Sequence, residues 1–204
     1  MNIDDYYKSK GETSMVGHIR FHSTNIDQPT HLSEIVKSSN AKNIMEIGFN
    51  GGHSADLFLS LNNEIKLTSF DIGEVDAVLF GKSFIDTKYP FRHNLIVGDS
   101  KESVPAFSKL NPNTFFDVIF IDGGHEFIDS ISDIVHCKKL AHKDTIVILD
   151  DTRFSPPMKN WNLGPNKAWE TCVNKGYVKE ICRYDYMDEK FPWKGQSWGK
   201  YNNV

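Results

Sequence analysis

Five short apolar runs punctuate the chain: Asn43–Gly48 (NIMEIG), Lys66–Asp71 (KLTSFD), His93–Gly98 (HNLIVG), Asp117–Asp122 (DVIFID) and Thr145–Asp150 (TIVILD). They are mostly β-branched or aromatic and nearly continuous rather than alternating, the pattern of strands buried on both faces. Helix-compatible stretches separate them. The clearest is Glu126–Leu140, where Phe127, Ile131, Ile134 and Val135 fall on one face. Such alternation predicts parallel pairing with right-handed crossovers. Gln28–Ser39 reads as a helix ahead of the first strand. Pro165 at a helix start and Gly176 just past its end bracket another. Tyr177–Tyr184 and Gln196–Tyr201 complete the set, the last pair antiparallel. The expected fold is α/β: a doubly wound, mostly parallel seven-stranded sheet with a C-terminal antiparallel strand.

Residues 1–28 break this pattern. They are polar and mixed, and read as a flexible arm or lid with little core content. No repeat, low-complexity tract or linker interrupts the rest, so 1–204 is expected to be one domain with its binding core at 43–152.

Composition narrows the function classes. The 204 residues are 39% hydrophobic and 25% charged, an ordinary globular balance. No apolar run is long enough to cross a bilayer, and the N-terminus lacks a signal-peptide core. Three scattered cysteines (Cys137, Cys172, Cys182) make neither a disulfide framework nor a zinc pair. A cytoplasmic setting is the expectation. A net charge of −4 provides no basic footprint, so a small molecule, and not nucleic acid or membrane, is the expected partner. A homodimer is the assembly to test for.

The chemistry concentrates at strand ends. Glu46, Gly48, Phe49, Asn50, Gly51, Gly52, His53 and Ser54 stand where the first strand hands over to a helix. A glycine-rich turn there lets the backbone approach a ligand and points helix N–H groups at it. The spacing is not the GxGxxG dinucleotide fingerprint, which disfavours a nicotinamide enzyme. An isolated loop of this kind is a tight turn and nothing more. Here, however, Asp71 closes the second strand about 20 residues on, where an acid reaches a ribose in such folds. Gly98, Asp99 and Ser100 close the third strand, and Asp122 the fourth. Acids at four successive strand ends line the edge at which open α/β sheets bind ligands. A second constellation, Asp122 with Asp150 and Asp151, offers oxygen ligands for Mg²⁺ or another divalent cation. The alternative is a pair of helix caps. His125, after Asp122, Gly123 and Gly124, is a candidate general base at the same edge, or a surface histidine. His53 reads as packing or capping. The segment 152–161 (TRFSPPMKNW), with Trp193 and Trp198, is a candidate apolar wall for a substrate or an oligomer contact.

The ordered segments MEIGFNGGHSA, LTSFD, NLIVGDSKESVP, FFDVIFIDGGHEF and TIVILDDT resemble the class I S-adenosylmethionine (SAM)-dependent methyltransferases. The resemblance is narrower to small O-methyltransferases of the catechol and caffeoyl-CoA type, and to sugar and macrolide O-methyltransferases. It implies a Rossmann-like sheet with SAM over the first strand-to-helix turn. Glu46 and the Gly48–Gly52 loop, with Phe49, Asn50 and Ser54, would then hold the methionine part. Asp71 would hold the ribose, Asp99 and Ser100 the adenine side, and Asp122 would border cofactor and chemistry alike. In the metal-dependent members the Asp122, Asp150 and Asp151 positions carry two Asp and then Asn or Asp. Catechol-type enzymes carry Lys near the place of His125, which leaves the base open. The implied reaction is methyl transfer to a hydroxyl of a small molecule with divalent-metal assistance. Two alternatives stand beside it: a metal-independent methyltransferase with a His base, and a non-catalytic SAM-binding module.

Overall fold

The computed structural model describes residues 1–11, 19, 27–186 and 192–204. Among them, seven strands form one sheet: β1 (Asn43–Ile47), β2 (Lys66–Asp71), β3 (His93–Val97), β4 (Phe116–Ile121), β5 (Ala141–Asp150), β6 (Val178–Asp185) and β7 (Gly195–Tyr201). Their order is β3-β2-β1-β4-β5-β7-β6. The five strands from β3 to β5 are parallel, while β7 runs antiparallel to both β5 and β6. The order reverses direction between β1 and β4, which places a crevice at their C-terminal tips.

Two helical layers cover the sheet, and the central strands serve both. Ile44, Val118, Phe120 and Ile148 face α2 (Asp27–Ser38), α3 (His53–Leu61) and α4 (Asp76–Lys88). Met45, Ile119, Ile121, Val147 and Leu149 face α5 (Ser100–Leu110), α6 (Phe127–Cys137) and α7 (Asn160–Asn174). Burial on both faces is why these strands read as continuous apolar runs. The Rossmann-like architecture is the expected one.

Three local differences have physical causes. The helix expected over Glu126–Leu140 stops at Cys137 and tightens into a 3₁₀ turn at Lys138–Leu140, a frequent way to end a helix. Helix α7 begins at Asn160, so Pro165 lies inside it instead of at its start. Asn162 makes the earlier start possible: its Oδ1 accepts from the Lys159 N–H at 2.9 Å, a reciprocal cap. Within the stretch expected to be an arm, Ile3–Ser9 forms helix α1, and Ile3 and Tyr7 are buried against the α2–α4 layer. The arm expectation otherwise falls largely on 12–18 and 20–26, outside the described residues.

Tyr7 ties this helix to the sheet edge. Its hydroxyl lies 2.9 Å from the Gly51 carbonyl and 2.8 Å from that of Ala77, and its ring stacks on His53. His53 is itself buried and meets Asp4 at 3.2 Å, a packing role. Replacing Tyr7 by Ala is expected to cost about 3–5 kcal/mol of stability, the range for deleting a buried aromatic. Urea denaturation measures this; a loss below about 0.5 kcal/mol, typical of surface positions, would make residues 3–9 a detached arm.

Candidate active site

The glycine turn is dictated by crowding. Gly48 has φ +92°, and a Cβ there would sit 1.9 Å from the Asp122 carbonyl oxygen. The tips of β1 and β4 meet backbone to backbone, with the Asp122 N–H donating to the Ile47 carbonyl at 2.8 Å. Only glycine fits this approach. Asn50 takes a left-handed conformation (φ 46°), a strain that Asn tolerates better than most residues. Its N–H donates to the Asp71 carboxylate at 2.8 Å, and Gly73 N–H donates to the other Asp71 oxygen at 2.8 Å. Asp71 therefore pins the loops after β1 and β2 together.

Over this turn opens a cavity of about 410 Å³. Gly48, Asn50, Asp71, Asp99, Ser100 and Asp122 all line it, so the structure brings together six of the residues singled out in the sequence. A smaller recess of about 40 Å³ shares Gly48, Asn50 and Asp122 as walls and reaches Phe49 and Ser54. Glu46 lies behind the turn. It is fully buried, and Ser54 and Ser69 hydroxyls donate to its two oxygens at 3.1 Å each. Phe49 stacks its ring on His93 at 4.9 Å in the core beneath, and Gly52, at φ +79°, caps α3. At the tip of β3, Asp99 caps α5 by accepting from Lys101 N–H at 2.9 Å. Lys101 reaches across to Asp129 at 2.6 Å and closes the rim.

The far edge carries the acids. Asp122, His125 and Asp151 each point a ligand atom into one place, all within 4.8 Å of one another. His125 Nε2 lies 2.8 Å from Asp151 Oδ2. Asp151 has φ +55°, and its carbonyl accepts from the buried Asn162 amide at 2.7 Å, which fixes the turn that aims its carboxylate. The third expected ligand, Asp150, is placed differently. Both its oxygens accept from the Gln28 side-chain amide, at 3.0 and 2.9 Å. Lys194, buried beside it, was not anticipated; nor was Gln28.

Charge and burial work against each other here. Desolvation pushes the Glu46 carboxyl up to about 8, against the two serine hydrogen bonds. Burial first, then the negative charges of Asp150 and Asp151, raise Asp122 well above the carboxylate range. Asp150 is raised by burial, while the Lys194 ammonium opposes the rise. His125 is raised by its hydrogen bond to Asp151. Behind Ser100, burial lifts Asp133 to about 7.

The expected apolar wall divides. Trp161 and Trp193 meet edge to face at 6.1 Å, and Lys159 lies 5.0 Å over the Trp193 ring. Trp161 directly precedes Asn162, and Trp193 directly precedes Lys194, so this pair adjoins the acidic edge. Phe154 instead packs into the core beneath Arg183, and Trp198 packs against His31 of α2.

A family model described as a methyltransferase domain matches residues 45–152, the stretch from the first strand through Asp151. The chain belongs to this methyltransferase family. No curated protein matches it significantly in sequence. Solved structures share its fold at low identity. An O-methyltransferase from Bacillus cereus, solved in complex with SAH, is 18% identical with a TM-score of 0.76, covering 97% of this chain and 90% of that one. An O-methyltransferase of Streptomyces achromogenes involved in tomaymycin synthesis, solved with SAM, is 14% identical with a TM-score of 0.73, covering 98% and 88%. A TDP-rhamnose 3′-O-methyltransferase of calicheamicin biosynthesis is 17% identical with a TM-score of 0.63, covering 88% and 82%. The methyltransferase fold thus extends over nearly the whole chain. Among the described residues, no helix is long and apolar enough to cross a membrane.

The buried carboxyls set a pH dependence. Glu46 binds its proton up to about pH 8 when folded but releases it near 4.5 when unfolded. Between those values the folded state holds more protons, so stability falls as pH rises. Asp133 acts in the same sense up to about 7. The ligand-free protein should therefore lose urea resistance from pH 5 to pH 8, and Glu46→Gln should flatten that slope. Identical slopes in wild type and variant would show that Glu46 is ionised throughout.

Proposed function

We propose that the protein transfers a methyl group from SAM to a hydroxyl of a small molecule. The observation that carries this reading is the cleft that runs from the glycine turn and Asp71 to Asp122, the residue it shares with the Asp122–His125–Asp151 cluster. Gly48 and Asn50 lay the backbone against the methionine part, Asp71 meets the ribose, and Asp99 and Ser100 border the adenine. The sulfonium methyl is then directed toward Asp122. There the acceptor oxygen displaces the sulfide in line, the C–S bond breaking as the C–O bond forms. The fixed cleft contributes alignment, and the cofactor contributes the leaving group.

The acceptor must lose its hydroxyl proton. Asp122, His125 and Asp151 form a donor set of two carboxylates and an imidazole, which suits a divalent cation. They are the residues that would hold Mg²⁺ or another such ion. When bound, the ion supplies a lowered pKa for an oxygen beside it. A second reading is favoured by the 2.8 Å pairing of His125 with Asp151: His125 itself accepts the proton, and Asp151 orients the ring and balances its charge. The Trp161–Trp193 pair supports a substrate with a ring face, whether aromatic or sugar, the class named for the calicheamicin enzyme. The setting proposed is cytoplasmic.

Calorimetry on chelator-treated protein tests the first link: SAM and SAH should bind, and Asp71→Ala should weaken SAH by at least about tenfold, the loss of one good charged hydrogen bond. His125→Ala should keep SAH affinity while lowering turnover of a hydroxylated acceptor by roughly a hundredfold or more. Turnover recovered only when Mg²⁺ or Mn²⁺ is returned supports the cation; turnover indifferent to chelator supports the histidine. Cofactor binding without turnover of any acceptor would point to a binding module instead.

A further inference from the structure

Glu46 is shut off from solvent, yet it stands in a line of hydrogen bonds that crosses three strands. Its two oxygens accept from the hydroxyls of Ser54, on α3, and Ser69, on β2. Ser69 Oγ lies 2.9 Å from Nε2 of His93, the first residue of β3. Glu46 and Ser69 are register partners on adjoining strands, so the sheet fixes their approach. At one end of the line, Ser54 is also a wall of the recess of about 40 Å³ beside the glycine turn. At the other, Phe49 stacks on the His93 ring and holds it in place.

The donors of this line all point one way. A serine hydroxyl has one proton, and Ser69 gives its own to Glu46, so His93 Nε2 must be the donor to Ser69. The imidazole is neutral, because burial and then the Lys82 ammonium hold it down to about 4 against the Asp86 carboxylate. Its second nitrogen, Nδ1, is then a bare acceptor, and it is buried without a hydrogen-bond partner, 3.9 Å from Asp86 Oδ1. Two hydroxyls and the imidazole behind one of them thus serve an anion at Glu46. Burial, with the Asp71 charge beside it, works the other way and lifts Glu46 to about 8. The line is built for a carboxylate whose counter-charge the chain does not provide.

We infer that Ser69 and His93 are positioning residues for Glu46, holding its carboxylate ready as the counter-ion of the ammonium at the amino-acid end of the cofactor, seated in the recess that Ser54 walls. The recess has room for such a group, since one water needs only about 10–15 Å³. The Ser54 hydroxyl, whose proton goes to Glu46, accepts from the ammonium. On binding, the Glu46 proton leaves to solvent and the carboxylate stays. This assignment rests on the SAM-dependent reading, and it gives a buried histidine of β3, remote from the acidic edge, a part in holding the cofactor.

Calorimetry with SAH, which has the ammonium and no sulfonium, tests it on the full chain. Titrations at pH 7 in buffers of different ionisation enthalpy count the protons released. Wild type should release about one proton more than Glu46→Gln, which cannot ionise. Ser69→Ala should weaken SAH by at least about tenfold, the loss of one hydrogen bond to a charged group. His93→Phe keeps the ring and removes the donor, and should weaken SAH about fivefold or more. His93→Gln returns an N–H donor to Ser69 and should stay within about threefold of wild type, well under one decade. Equal proton release in wild type and Glu46→Gln would overturn the proposal, as would equal SAH affinity in His93→Phe and His93→Gln. Should the variants fail to fold, ¹⁵N NMR of wild type decides: an Nε2–H tautomer at His93 supports the line, and an Nδ1–H tautomer overturns it. Failure of the wild type to bind SAH is a different result and would overturn the methyl-transfer reading itself.

Discussion

The site depends on one close approach. Gly48 and Asp122 belong to strands far apart in sequence, yet their backbones touch so closely that no Cβ can stand between them. The contact joins the loop after β1 to the loop after β4, the two elements flanking the topological switch point. On one side, from Asn50 to Asp71, the cleft is placed by the first loop. On the other, Asp122 and His125 are placed by the second. A side chain at position 48 would push the two halves apart, and a misplacement of about 1 Å is enough to damage alignment in a displacement reaction.

Electrostatics follows from that geometry. Converging strand tips concentrate carboxylates in a recess with little water, and burial makes each ionised form costly. The ligand-free protein responds by holding protons: Glu46, Asp122, Asp133 and Asp150 are all shifted upward. Among the described residues, buried carboxyls dominate this recess, which leaves a deficit of positive charge. Lys194 meets part of the deficit from within, and a cationic ligand entering the cleft meets another part. A sulfonium is a fitting occupant for this reason, because the same desolvation that penalises bare carboxylates strengthens their attraction for it.

The fold was legible in the sequence because the core strands are buried on both sides and so announce themselves as unbroken apolar runs. That the strand-end residues share one cleft was legible because glycines and acids fall at strand ends, where position along the chain predicts position in space. Glu46, Phe49 and Ser54 are placed by contacts that strand-end position alone does not give: Glu46 lies between two serines, Phe49 stacks on His93, and Phe49 and Ser54 also line a small recess beside the turn. Helix α1 was missed because three buried contacts, Tyr7 to Gly51, Ala77 and His53, outweigh a polar composition that carries no periodic signal. The start of α7 was missed because Pro165 looked like a first-turn proline, while the residue that starts the helix, Asn162, acts through a side chain.

Lys194 and Gln28 were hidden for a more general reason. In a parallel sheet, ligand-binding residues follow the C-terminal ends of strands, and a reader of sequence looks there. Strand β7 is inserted antiparallel between β5 and β6, so it is its beginning, not its end, that reaches the functional edge. One reversed strand thus delivers a residue from a place the parallel rule does not cover. Gln28 comes from farther still, at the start of a helix that precedes the whole sheet, and only the folded chain brings its amide to Asp150. The parallel strands supply the acids, and the departures from parallel order supply the groups that temper them. A sheet built wholly by the parallel rule would leave Asp150 without Lys194, and its charge would then have to be met by whatever cation the cleft could recruit.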